Sequence, residues 1–328
     1  MSRTAHLPMW LNSLDKRNRM HSAKTARLMP GSIAEIRSWR EISSTLDREG
    51  MLDSLPFMPE MRKYCGQRFA VTKRLERTCE EAEGGMRRIR DVVFLDNLRC
   101  DGSMHGGCQK GCMLFWREAW LREVVEGTLD QPGPCDDEAG NYPFSCSLPN
   151  GQYICQSTEL IRATTFLSPL DFGSYARDIQ AKTYSVYTLS RVLAYAWYLR
   201  LRCLLTGRSY RVVEGTRNST PVDVLILQPG EWVRVKSKEE IAATLDRNGK
   251  NQGLAFTVEM VQFCGKTFRV LKRLEKMIHE PSRKLIQVRN TVVLDGVTCD
   301  GCHILRGGCP RENYHFWREA WLERVEKD

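Results

Sequence analysis

Eight side chains have the types and spacing of metal ligands. Cys79, Cys100, Cys108 and Cys112 form one set, with twenty, seven and three residues between successive members. His279, Cys299, Cys302 and Cys309 form the other. Zinc takes thiolate and imidazole donors, four of them in a tetrahedron. Glycines adjoin the cysteines in Cys100-Asp101-Gly102, Gly106-Gly107-Cys108 and Cys299-Asp300-Gly301-Cys302. There they let backbone N–H groups turn toward sulfur. Cys108 and Cys112 share one face if a helix begins there. The spacing is not that of a standard zinc finger, and it matches none of the usual iron–sulfur spacings. The competing explanation is a set of inert buried thiols, because cysteine is among the most buried residue types. The expectation is zinc, up to two ions per chain. His105 and His303, in the glycine-rich loops, are alternate ligands or solvent-facing residues. Cys65 and Cys264, each directly before a glycine, are small core residues, alternate ligands or reactive thiols.

The two sets fall in two copies of one unit. Residues 31–126 and 230–326 align without a gap from Gly31 and Gly230 to Gly102 and Gly301, at a constant offset of 199. Two extra residues then enter the second copy, and the register resumes at Gly106-Gly107-Cys108 against Gly307-Gly308-Cys309. The segment from Phe115 to Leu121 is identical to that from Phe316 to Leu322. A repeat of this length is a folded domain, too long for a solenoid unit. Within the alignment the ligand sets diverge. His279 lies one residue past the slot of Cys79, which holds Ile278; Asn313 replaces Cys112; and Cys302 stands where the first copy has Ser103. The pattern is that of a ligand lost and another gained nearby.

These residues must be carried by short elements. Each copy opens with a strand, Ala34 to Arg37 or Val233 to Lys236. A helix follows, from Ser38 to Arg48 in the first copy. Ser38 with Glu41, and Ser237 with Glu240, have the spacing of a capping box. Gly50 and Gly249 are suited to end these helices. Within Met61 to Arg74 and Met260 to Arg273, the alternation Phe69-x-Val71 and Phe268-x-Val270 is expected to be a strand entered through the turn at Cys65-Gly66 and Cys264-Gly265, and further strands are expected over Ile89 to Leu95 and Val288 to Leu294. The closing segment places Phe115, Trp116, Ala119 and Trp120 on one face of a helix, which anchors into the core or offers an aromatic platform for a base. Arg117 and Glu118 would then face outward. Lys73-Arg74 and Lys272-Arg273 are a solvated strand face or a track for phosphates. The expected fold class is α+β: two similar small SH3-like β-barrel domains with appended helices, joined by a helical insert. The divisions are a basic arm (1–30), the first repeat (31–126), a loop (127–156), the helical insert (157–207), a linker (208–229) and the second repeat (230–328).

The chain has 328 residues, a formal net charge of +9 and thirteen cysteines. An isoelectric point near 8.9 permits an acidic partner without requiring one. The arm carries Arg3, Lys16, Arg17, Arg19, Lys24 and Arg27 against Asp15 alone. It has no apolar core, so it is not a secretory signal; an organelle transit peptide is the minority explanation. An odd cysteine count without such a signal argues against a disulfide framework and for a reducing cytoplasm. The most apolar stretch, 187–207, contains Arg191, Arg200 and Arg202, which argues against a membrane span.

Thr45-Leu46-Asp47, Leu55-Pro56-Phe57-Met58-Pro59-Glu60-Met61, Tyr64-Cys65-Gly66, Cys100-Asp101-Gly102, His105-Gly106-Gly107-Cys108 and Phe115-Trp116 follow one another in the first copy. This run resembles a bacterial family of cysteine-rich repeat proteins for which no activity is established. Tyr153-x-Cys155-Gln156-x-Thr158-Glu159-Leu160 looks like part of the same arrangement. The resemblance implies no catalytic residue. The second copy departs from the pattern at Ala255, Thr257, Val258 and Phe263. The leading expectation is a zinc-stabilised tandem binding or scaffold protein in a bacterial cytoplasmic pathway. A metal- or thiol-dependent enzyme and a nucleic-acid-binding protein, acting through the basic arm, are the alternatives.

Overall fold

Runs rich in valine, isoleucine, phenylalanine and leucine fit a pleated, half-buried surface, and they become the strands. The computed structural model describes residues 27–80, 85–124, 144–168, 171, 173–207, 209, 211–301 and 308–326. Most of the basic arm, together with Cys302 and His303, lies outside the described residues. The first repeat comprises β1 (Ile33–Ile36), α1 (Trp39–Ser43), β2 (Met51–Leu52), β3 (Leu55–Pro56), β4 (Arg68–Cys79), β5 (Met86–Leu95), β6 (Trp116–Arg117) and β7 (Leu121–Val124). The insert holds β8 (Thr165–Phe166), α2 (Gly173–Gln180) and α3 (Val186–Thr206). The second repeat comprises β9 (Trp232–Val235), α4 (Lys238–Ala242), β10 (Lys250–Asn251), β11 (Leu254–Ala255), β12 (Thr267–Arg273), β13 (Lys276–His279), β14 (Lys284–Gln287), β15 (Thr291–Thr298), β16 (Tyr314–Arg318) and β17 (Leu322–Arg324). The fold is mixed α/β and mostly strand.

The main sheets run β6-β5-β4-β1-β7 and β16-β15-β12-β9-β17, with β8 added to β5 in the first. They share their register as well as their order. Glu35 faces Arg68 as Arg234 faces Thr267, and Val92 faces Arg117 as Thr291 faces Arg318. Register shifts in β4 and β12 bend both sheets.

The helix expected over the closing segment does not form. Strand β6, a single 3-10 turn (Glu118–Trp120) and β7 take its place, and β16, Glu319–Trp321 and β17 repeat this. The turn carries the chain from one edge of the sheet to the other, so the sheet curls. Trp116 and Trp120 are buried edge-on around Phe57, with ring centroids at 6.1 and 5.1 Å. Trp317 and Trp321 sit around Phe256 at 6.1 and 5.2 Å. The aromatic stripe is therefore core. Arg117, Glu118, Arg318 and Glu319 do not face outward either; all four are buried. Glu118 accepts the Leu28 N–H at 2.7 Å and pairs with Arg74. Glu319, with 0% exposure, accepts the N–H groups of Leu225, Ile226 and Leu227 at 2.7, 3.1 and 3.0 Å and pairs with Arg273 at 2.9 Å. Each carboxylate ties down the strand-entry segment, and each engages an arginine of the expected basic face.

In the insert, Ser185 caps α3 and Gly207, at φ +68°, ends it. Leu189, Val192, Ala196 and Leu199 turn inward, while Tyr187, Trp197, Leu204 and Leu205 are exposed. Among the described residues no helix is long and apolar enough to cross a membrane. Gln156 fastens the insert to the first repeat. Its side chain accepts the Phe115 N–H at 2.8 Å and donates to the carbonyls of Phe115 and Pro56 at 2.8 and 3.0 Å. Gln156→Leu leaves those buried groups without their partner, so the expected cost is about 2–4 kcal/mol in denaturant unfolding. A change below about 0.5 kcal/mol would show that water takes over these bonds.

The repeats also interlock. The Lys276 carbonyl accepts the Gln109 N–H at 3.0 Å, and Ile278 belongs to the core of the first repeat. Cys79, from the first repeat, packs with Cys309 of the second. Lys73 pairs with Glu312 at 2.5 Å, and the Arg99 guanidinium lies 4.2 Å from the centre of the Tyr314 ring.

Candidate metal centre

Three donors converge beside the first cysteine loop. Glu60 lies in the 3-10 turn Pro59–Tyr64, which follows the β2–β3 hairpin. Cys100 follows β5, next to the bridge between Arg99 and Met113. His105 is carried by a tight loop in which the Gly102 carbonyl accepts the N–H groups of His105 and Gly107 at 3.1 and 2.9 Å. Gly102 has φ +72°, and a Cβ there would stand 1.9 Å from the Cys108 carbonyl oxygen. Any larger residue would open the loop.

The Cys100 Sγ lies 3.3 Å from His105 Nε2 and 3.6 Å from Glu60 Oε1. His105 Nδ1 lies 3.6 Å from Glu60 Oε1. Metal–ligand bonds of about 2.0–2.3 Å in a tetrahedron place donors about 3.3–3.7 Å apart; the two histidine distances run to different ring nitrogens, of which one ion takes a single one. Among the described residues this is the group of three whose ligand atoms all lie within 4.8 Å of one another. Glu60 and His105 are 7% and 1% exposed. Glu60 Oε2 and His105 Nδ1 have no hydrogen-bond partner among the described residues, and a buried polar atom in that position is costly.

Burial pushes the Glu60 carboxyl up and the Cys100 thiol well above its ordinary range, and it holds the His105 imidazole down at about 4. Without a cation, the pocket favours neutral donors. A bound divalent ion reverses the preference for the acid groups and expels their protons. These three residues can therefore hold a metal ion.

The remaining candidates divide between two places. Cys108, Cys112 and Cys155 line a cavity of about 20 Å³ together with Cys100 and His105. No helix joins Cys108 to Cys112. The Cys112 carbonyl accepts the Cys100 N–H at 2.8 Å, and its sulfur accepts from Ser157 at 3.5 Å. The Cys108 sulfur accepts the Ile278 N–H at 3.3 Å, a bond from the other repeat. Cys79, which aligns with Ile278, makes the reciprocal approach to Cys309. Burial would raise the Cys309 thiol, but its hydrogen bond with Cys79 and the Arg311 guanidinium bring it down to about 7. Cys299 hydrogen-bonds with Glu259. His279 is exposed, with Nδ1 2.9 Å from Ser282 Oγ. Cys302 lies outside the described residues. Glu60 is the donor that the cysteine spacing does not reveal. Its signal is the glutamate at the same place in both copies, Glu60 and Glu259.

Comparison with protein-family models, curated proteins and solved structures gives no match.

Proposed function

We propose that the protein is a tandem scaffold whose first cysteine loop is fixed by a structural zinc ion, held by Glu60, Cys100 and His105. The observation that carries this proposal is the convergence of three donors, one ligand atom from each lying within 4.8 Å of the others, in a largely buried pocket. Three protein donors leave the fourth position of the tetrahedron to water, and the burial of Glu60 and His105 favours an ion shut off from substrate, hence structural. Mixed carboxylate, thiolate and imidazole ligation suits zinc, which has no geometric preference of its own. The strand order, with a 3-10 turn leading from one sheet edge to the other, supports an SH3-like barrel in each repeat. The shared register of the two sheets supports an origin by duplication.

Metal analysis of the full chain tests the proposal. Zinc should co-purify, and Glu60→Gln, Cys100→Ser and His105→Asn should each remove one equivalent per chain. Full zinc content in all three variants would overturn it. Steady turnover of a hydrolysable substrate that is lost with the metal would favour the enzyme alternative instead.

A further inference from the structure

The second repeat brings together the same three donor types, with the imidazole arriving from a different place. Glu259 is buried in the 3-10 turn Val258–Phe263, at the position equivalent to Glu60. Cys299 donates its N–H to the Asn313 carbonyl at 2.8 Å, as Cys100 does to Cys112 at 2.8 Å. Gly301 has φ +72°, and a Cβ there would meet the Cys309 nitrogen at 2.4 Å, the constraint already seen at Gly102. The Cys299 thiol hydrogen-bonds with the Glu259 carboxylate, and its sulfur accepts the Gly301 N–H at 3.2 Å.

The histidine does not follow the alignment. Ile304, Leu305 and Arg306 precede the second Gly-Gly-Cys, where the first copy has His105, and His303 of the same loop lies outside the described residues. Instead His315, on β16, directs Nε2 to Glu259 Oε1 at 3.6 Å, the separation between His105 and Glu60. Its counterpart in the first repeat is Leu114, a core residue. The Phe263 ring packs edge-on against the imidazole at 5.8 Å. Each copy thus sets one imidazole against the equivalent glutamate, from non-equivalent positions. A packing role alone gives no reason for the imidazole to reappear beside the same carboxylate.

We propose that Glu259, Cys299 and His315 form a second centre for a divalent transition metal of the zinc class. With Glu259 and Cys299 ionised, the carboxylate and thiolate neutralise the ion, and the imidazole completes a borderline-soft set. Glu259 stands between the other two donors. A cation must draw Cys299 and His315 together by side-chain rotation, so this centre is the weaker of the two. It shares its chemistry with the first centre but none of its residues, so either can fail alone.

Cobalt(II) titration of the metal-stripped full chain tests this, read by thiolate-to-metal charge transfer and bound stoichiometry. The wild-type chain should take two ions in two steps. His315→Asn should abolish the weaker step and leave the tighter one, whereas His105→Asn should do the reverse. His315→Cys keeps a ligand; it should restore two ions with stronger charge transfer, and it remains informative if the asparagine variant fails to fold. Two unchanged steps in His315→Asn, or a single ion in the cysteine variant, would overturn the second centre. One ion in the wild-type chain that depends on Cys100 would also overturn it while sparing the first.

Discussion

Stripping the metal with a chelator is expected to lower the melting temperature of the full chain by about 8 °C. A ligand bound only by the folded state adds about 4 kcal/mol when free metal exceeds the dissociation constant a thousandfold. In a chain of this size each kcal/mol moves the midpoint by about 2 °C. The effect concentrates in the segment from Cys100 to Cys112. It has little regular structure, its glycines raise the entropy lost on ordering, and its anchors to the Pro59–Tyr64 turn are the Glu60–Cys100–His105 contact and the exposed Lys63–Asp101 ion pair at 2.6 Å. The pH dependence has a definite sign. Glu60 and Cys100 are both raised by burial, so binding must displace protons, and the metal is held more tightly as pH rises. Calorimetry at pH 6 and pH 8, with and without chelator, should show a larger difference at pH 8. Superimposable melting curves at both values would remove the metal from the stability of this fold.

The local signals in the sequence were specific wherever the structure obeys short-range rules. Ser38 with Glu41 and Ser237 with Glu240 form their capping boxes, although α1 ends at Ser43, well before Gly50. The strand expected at Phe69-x-Val71, entered through the glycine turn at Gly66, begins at Arg68, and Pro59 starts a 3-10 turn ahead of it that runs to Tyr64. The Phe-Trp-x-x-Ala-Trp spacing fits a helix face, but it equally fits two strand tryptophans separated by one tight turn. Only packing around Phe57 and Phe256 distinguishes the two. The cysteines were conspicuous through their glycines. Glu60 was hidden because it approaches Cys100 from forty residues upstream. The crossing of Cys79 to Cys309, and of Ile278 to Cys108, was hidden for another reason. An internal alignment shows which residues correspond, whereas these contacts join non-equivalent positions across the two copies.

Glu280→Gln is expected to destabilise the chain by about 3–5 kcal/mol, the cost of breaking a buried ion pair from one side. Glu280 Oε1 meets Lys110 Nζ at 2.7 Å and Arg311 Nη2 at 2.9 Å, and all three residues are buried. Lys110 and Arg311 are equivalent positions, each two residues beyond the repeated Gly-Gly-Cys. One carboxylate therefore joins the two cysteine loops where the repeats meet. Arg311 extends the junction by donating to Ser157 Oγ at 2.8 Å and to the Cys79 carbonyl at 3.3 Å. Burial works to raise the Glu280 carboxyl, but Arg311 and Lys110 outweigh it and hold it at about 2. Its value is thus depressed below that of the unfolded chain. The stabilisation is complete above about pH 4.5 and is lost as pH falls toward 2, an amount of about 3 kcal/mol. Glutamine cannot ionise, so the variant should begin less stable and lack this part of the acid slope. Urea unfolding at pH 7, 4 and 3 separates the two effects. An acid slope in Glu280→Gln equal to that of the wild type would assign it to other carboxylates. The paired change Glu280→Met with Lys110→Met removes charge from both sides of the contact and should recover part of the loss. A double variant no more stable than Glu280→Met alone would mean that the residual cation of Arg311, rather than that of Lys110, dominates the cost.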